Sequence, residues 1–319
     1  MTLRWKLCTL RRLEILLSRL KNFPSELSIE NSQLLADHSR FRVTSGFADA
    51  AHTSMPPIKL AFREHGRGAK TVVILHGLLG SSQNWQRAAQ AIGEQYRVLV
   101  VDQRNHGESP HTATHSFAEM CGDLEQFFDE HGLQRAYVLG HSMGGGTAME
   151  FAFRHPLRLQ GLMIEDIAPR AYGTSTMEIL DGLAAINLPG LRSRQQADAE
   201  LAKTIPSTVV RQFLLTNLVR NEDLSFSWKM NLPVLQSAQR ELAGYRPPEN
   251  ARYDGETLFI GGEQSAYRID QDELLIKRHF PNSCVQMIPN AGHWLHFEAL
   301  QEFTAIVKRF MSEGLERFR

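Results

Sequence analysis

Gly140-His141-Ser142-Met143-Gly144-Gly145 is the stretch on which the reading of this chain turns. An apolar run, 136–139, precedes it and a helix-like segment, 147–154, follows, so Ser142 stands at the apex of a tight strand-to-helix turn. An apex residue of this kind is forced into a strained backbone conformation. Side chains on its neighbours would collide with the adjoining strand and helix, and glycine at 140 and 144 relieves that crowding. The turn lifts the Ser142 hydroxyl clear of the strand. It also leaves the backbone N–H of Met143 at a helix N-terminus, facing any oxyanion that develops there.

Outward from this turn, apolar runs predict strands at 58–62, 71–75, 97–101, 136–139, 159–164, 257–260 and 285–288. Helical periodicity predicts helices near 84–92, 117–131, 147–154, 273–279 and 298–311. Short β-branched runs such as Thr71-Val72-Val73-Ile74-Leu75, alternating with helices, mark an α/β fold with a mostly parallel sheet covered on both faces. The alternation stops between Pro169 and Pro248. Helical patterns at 193–203, 207–218 and 232–244 take its place, broken by Pro189, Pro206 and Pro233. The expected organisation is an N-terminal extension, 1–54, a core built from 55–168 and 249–319, and a helical cap, 169–248, that walls the site above Ser142.

The chain has 319 residues, 42% hydrophobic and 22% charged, with a formal net charge of +0. A balanced charge supplies no basic field for nucleic acid. No apolar run approaches the ~18–20 residues that span a bilayer. Cys8, Cys121 and Cys284 are scattered without metal or redox spacing, as in reduced thiols of an intracellular protein, and a cytoplasmic location is expected. Residues 1–23 read differently: six basic residues, Glu14 as the lone acid, and Leu3, Leu7, Leu10, Leu13, Leu17 and Leu20 at helical steps. This stretch reads as an extension ahead of a start at Met55, as an amphipathic helix contacting a membrane or partner, or as a mitochondrial targeting peptide.

A serine hydroxyl is a weak nucleophile until a base takes its proton, and that base needs an acid to orient it. His293, in Pro289-Asn290-Ala291-Gly292-His293-Trp294, follows the last strand and is the candidate base. His296 begins the next helix and reads as structural. His141 is too close to Ser142 along the turn to serve as its base, and reads as packing. For the acid, the strand end Leu162-Met163-Ile164-Glu165-Asp166 offers two carboxylates, of which Asp166 is preferred and Glu165 stands second. The turn Gly262-Glu263-Gln264-Ser265 offers Glu263 as a third. The loop His76-Gly77-Leu78-Leu79-Gly80 can aim the Leu78 N–H at the same point as that of Met143, completing an oxyanion hole. Asp102 and His106 read as loop braces. His111 and His115 lack the context of a metal motif, so no metal or cofactor is expected.

Together, HGLLGSSQNW, VDQRNHGESPH, GHSMGGGTAMEFA, EDIAPRAY, GGEQSAY and AGHWLHFE resemble the YbfF-type esterase branch of the α/β-hydrolase superfamily, which is similar to abhydrolase-domain-containing protein eleven. The resemblance runs from about residue 58 to 311. It implies an α/β-hydrolase fold, with the cap inserted between the sixth and seventh sheet strands. It also implies a serine in the turn where the acid usually stands and an aspartate before I-A-P, which favours Asp166 over Glu263. Glu165 is a departure, since an apolar residue is usual there. The activity implied is hydrolysis of small to medium acyl esters or thioesters through an acyl-enzyme. A carbon–carbon bond hydrolase, a cofactor-free lyase and a non-catalytic hydrolase-like binding protein are the other readings the scaffold admits.

Overall fold

The computed structural model describes residues 56–173 and 175–319. The expectations for residues 1–54 lie outside them. Strands β1 (Phe62–His65) and β2 (Thr71–Leu75), helix α1 (Gln86–Gly93), β3 (Arg97–Val101), α2 (Phe117–Glu130), β4 (Ala136–His141), α3 (Met143–Arg154) and β5 (Leu159–Glu165) form the first half. An insertion follows, with α4 (Ser175–Ala184), α5 (Arg194–Leu201), α6 (Thr208–Leu215), β6 (Leu218–Arg220), β7 (Phe226–Trp228) and α7 (Leu232–Gly244). The chain then completes the core with β8 (Thr257–Gly262), α8 (Glu273–His279), β9 (Ser283–Ile288), α9 (Leu295–Glu298) and α10 (Leu300–Glu313).

Among the described residues, seven strands form one sheet in the order β1-β3-β2-β4-β5-β8-β9, parallel except for β1. The chain passes from β3 over β2 to reach β4, so the strand order reverses beside the Ser142 turn. Open parallel sheets collect their ligands at such a reversal, at the carboxyl ends of the strands. Val73, Val138, Leu162 and Phe259 meet α2 and α3 on one face. Val72, Leu139, Met163 and Leu258 meet α1 and α10 on the other. Burial on both faces explains why these strands are continuously apolar. No helix among the described residues is long and apolar enough to cross a membrane.

Three expectations need correction. The first strand lies at Phe62–His65, not 58–62. It is an edge strand whose first three residues are exposed, so it carries no apolar run. The apolar residues before it pack without strand pairing: Leu60 is buried, the Ile58 N–H donates to Asp123 Oδ1 (2.9 Å) and the Ala61 N–H to Ser109 Oγ (2.8 Å). The insertion also contains an antiparallel pair, β6 with β7, inside a segment expected to be helical. Counted within this sheet, the insertion leaves after the fifth strand and returns at the sixth, because one strand fewer precedes it than the expected numbering assumes. It has its own apolar core around Leu180, Leu201, Leu214 and Leu235, to which Leu79 of the core domain adds. The Asn217 side chain donates to the Leu79 carbonyl (2.8 Å), a buried tie between insertion and core.

Candidate active site

Ser142 has φ 50° and ψ −117°, and α3 begins at Met143 immediately after it. A non-glycine residue at positive φ is held there only by its surroundings. Two hydrogen bonds do this: the Ser142 N–H donates to the Glu165 carbonyl (3.0 Å), and the Gly146 N–H donates to the Ser142 carbonyl (3.0 Å). The flanking glycines are steric necessities. A Cβ on Gly140 would lie 2.2 Å from the Gly144 carbonyl oxygen, and one on Gly144 would lie 2.3 Å from that of Leu75. The buried side chain of Met143 packs with Phe117 and Met120. Its N–H, first in the helix, has no partner one turn earlier within α3.

The carboxylate that touches His293 belongs to Asp166. Its Oδ2 accepts from His293 Nδ1 at 2.7 Å, with the carboxylate wholly buried and the imidazole 18% exposed. Asp166 follows β5 and, like Ser142, has a positive φ, 52°. Its N–H donates to the Ile260 carbonyl (2.8 Å), its Oδ1 accepts the Gly262 N–H (3.2 Å), and its Oδ2 also accepts the Ser265 hydroxyl. Ser265, the serine of the turn that the resemblance expects to lack the acid, therefore supports a carboxylate arriving from the neighbouring strand. Glu263 is exposed on the same turn and Glu165 is engaged elsewhere, so neither acid alternative meets His293. Tyr267 stacks on the His293 ring at 4.2 Å and 6°, a contact that no sequence pattern announces. Burial raises the Tyr267 phenol pKa, and hydrogen bonding to the Ser142 side chain partly offsets this.

Glu165 and His296 pin the loop that carries His293. Glu165, fully buried, accepts from the His296 N–H (3.1 Å) and from His296 Nδ1 (2.8 Å) through Oε1. Trp85 stacks on the His296 ring at 4.0 Å. His141 Nε2 donates to the His293 carbonyl at 2.9 Å, and burial, with His293 and His296 beside it, holds the His141 pKa well below the usual histidine value. His141, Glu165 and His296 have ligand atoms within 4.8 Å of one another, a spacing a metal could use. These hydrogen bonds already engage the three groups and give them a structural role.

The braces around the 76–80 loop are equally specific. Asp102 Oδ1 accepts the Ser82 N–H (2.5 Å) and Oδ2 that of Glu108 (2.9 Å). His76 Nε2 accepts the Gln103 N–H (3.0 Å), and His106 Nε2 accepts the Leu79 N–H (3.1 Å), beside Leu78. A ring nitrogen that accepts must be unprotonated. Burial accordingly lowers the pKa of His76 and His106, and lowers that of His115 to about 3. In the unfolded chain these rings titrate near ~6.5, so the unfolded state binds more protons below that pH. Their contribution to stability is therefore complete above about pH 6.5, and for His115 it is lost as pH falls from there toward about 3. Each such ring contributes up to about 1.4 kcal/mol per pH unit. Calorimetry is expected to show a melting temperature that falls steadily from pH 7 to pH 5. A flat or rising profile would contradict the neutral-histidine bracing.

A cavity of about 250 Å³ brings the pieces together. Ser142, His293, Tyr267 and Leu78 line it from the core, and Val210 and Phe213 from the insertion. Gly77 makes the close approach possible: a Cβ there would lie 2.8 Å from His141 Nδ1 and 3.3 Å from Ser142 Cβ.

Residues 70–300 match the family model described as alpha/beta hydrolase fold. The chain is 36% identical over 249 residues to an sn-1-specific diacylglycerol lipase, ABHD11, of Mus musculus, covering 76% of this chain and 80% of that protein. It is 31% identical to the esterase YbfF of Escherichia coli (strain K12), covering 76% and 93%. Among solved structures, a marine microorganism esterase aligns with a TM-score of 0.76 at 34% identity, covering 78% of this chain and 98% of that one.

Proposed function

This chain belongs to the alpha/beta hydrolase fold family, in the branch of its ABHD11 and YbfF relatives, and we propose that it is a serine hydrolase of carboxylic esters or thioesters, with Ser142 as nucleophile, His293 as base and Asp166 as acid. The observation that carries the reading is the 2.7 Å contact between His293 Nδ1 and the buried Asp166 carboxylate, beside a serine held at φ 50° in the same cavity. A carboxylate on Nδ1 fixes the tautomer that leaves Nε2 free to accept a proton, and it stabilises the imidazolium that follows.

In this account Ser142 Oγ attacks the acyl carbonyl as His293 Nε2 takes its proton. The N–H groups of Leu78 and Met143 receive the developing oxyanion, Met143 with the added favour of a helix N-terminus. His293 then gives the proton to the leaving oxygen or sulfur. Water, activated by the same imidazole, hydrolyses the acyl-enzyme. The insertion acts as a cap whose Val210 and Phe213 keep bulk water from the intermediate. The printed names of the relatives, a lipase and an esterase, support an ester as the scissile group. A panel of p-nitrophenyl esters and acyl-CoA thioesters of graded length tests the reading, with turnover expected on the short to medium esters. Absence of turnover on every member would reject it in favour of carbon–carbon bond cleavage.

A further inference from the structure

We propose that Tyr267 is a catalytic residue of the second half-reaction: its phenol hydroxyl donates a hydrogen bond to Ser142 Oγ as that oxygen leaves the acyl group. The inference rests on the serine hydrolase reading above and gives a role to a side chain that the triad and oxyanion hole leave unused. Tyr267 is held at both ends of its backbone. Its N–H donates to Ser265 Oγ (3.1 Å), the hydroxyl that also bonds to Asp166, and its carbonyl accepts from Arg170 Nη2 (2.9 Å). Arg170 is fixed in turn by Asp272 (2.7 Å).

The ring is fixed as well. It lies parallel to His293 at 4.2 Å and 6°, and against Tyr172 at 4.8 Å and 42°. A ring gripped between two others cannot swing away, so its hydroxyl is placed before a substrate arrives. Tyr267 lines the cavity together with Ser142 and His293. Its phenol interacts with the side chain of Ser142, on which the hydroxyl is the sole polar atom. Burial raises the phenol pKa, so the group keeps its proton at neutral pH and can donate.

A donor aimed at Oγ acts differently on the two halves of the reaction. During acylation Oγ gives its proton to His293 Nε2 and an electron pair to the acyl carbon, and a hydrogen bond to that oxygen does nothing to release the pair. During deacylation a water oxygen bonds to the acyl carbon and a water proton passes to His293 Nε2. The bond between the acyl carbon and Oγ then breaks, Oγ keeps the electron pair, and the imidazolium returns the proton to it. The bond from Tyr267 strengthens as charge gathers on the departing Oγ, while the phenol keeps its own proton throughout. Deacylation is therefore the step that Tyr267 accelerates.

Tyr267→Phe tests this, because it keeps an aromatic ring on His293 and removes only the hydroxyl. Stopped-flow release of p-nitrophenol from p-nitrophenyl butyrate, followed into the steady state, resolves acylation from deacylation. Decay of the butyryl adduct on the peptide that contains Ser142, followed by mass spectrometry once the ester is spent, reads deacylation directly. In the variant, deacylation is expected to slow about tenfold or more and acylation to stay within about threefold of wild type. Once deacylation limits turnover, kcat and KM fall together and kcat/KM holds. Loss of packing alone would disturb His293 in both steps. A variant that slows both steps equally, slows acylation more than deacylation, or changes neither would overturn the proposal and leave the hydrolase reading intact. Release of p-nitrophenol by the wild-type chain no faster than by Ser142→Ala would instead remove the reading beneath it.

Discussion

Ser142→Ala is expected to lower kcat for ester hydrolysis by about 10⁴- to 10⁶-fold and to leave the fold intact. Alanine at this position meets the same backbone strain as serine, and the bonds that hold the turn come from main-chain groups of Ser142, Glu165 and Gly146. Under the proposed mechanism, removing the hydroxyl removes the nucleophile without releasing the elbow. The residual rate under that mechanism is what the proposed oxyanion hole and binding supply to an attacking water. Steady-state kinetics beside a circular dichroism spectrum and a melting curve separate the two effects. A loss smaller than about tenfold, in a variant that melts like the wild type, would show that Ser142 is not the attacking group.

Asp166→Asn is expected to cost about 10³- to 10⁴-fold in kcat with little change in KM. Asparagine is nearly isosteric and keeps one oxygen, in the place of Oδ1, for the Gly262 N–H, while the Ser265 hydroxyl shares the Oδ2 place with His293. Its amide nitrogen, turned toward His293, would donate instead of accept and so impose the wrong tautomer. The loss of charge also withdraws support from the imidazolium. Glu263→Gln, on an exposed turn residue, is expected to change activity by less than about twofold. Glu165→Gln falls between them, since it keeps an acceptor for the His296 N–H but weakens the pin on the His293 loop. Kinetics of the three variants under one set of conditions rank them. If Glu263→Gln or Glu165→Gln lost more activity than Asp166→Asn, the acid would be misassigned.

The strained turn and the interior strands were open to sequence reasoning because local chemistry alone specifies them. Gly140 and Gly144 have no steric alternative, and the centres of β2 through β5 are buried on both faces, so their apolar residues run together there. What depended on distant partners stayed hidden. Ser265 reads in sequence as an absent aspartate, and its bond to Asp166 spans 99 positions. The same turn brings Tyr267 onto His293, a packing contact that leaves no periodic trace. Glu165 reads as a rival acid until His296, 131 positions away, is seen to occupy it. The edge strand at Phe62–His65 escaped because exposure, not burial, sets its composition. The β6–β7 pair escaped because each strand has three residues, too few for an alternating pattern to emerge. Its turn depends on Leu224 at φ 67°, a conformation no leucine would advertise.

The most direct trial of the whole account is mass spectrometry of peptides from the wild-type chain, Ser142→Ala and His293→Ala after exposure to a fluorophosphonate, a reagent that phosphonylates only an activated serine. The account predicts a single adduct on the peptide that contains Ser142 in the wild type. It predicts none in Ser142→Ala, and labelling slowed by at least about a hundredfold in His293→Ala. An adduct on another residue, or equal labelling of all three proteins, would contradict it.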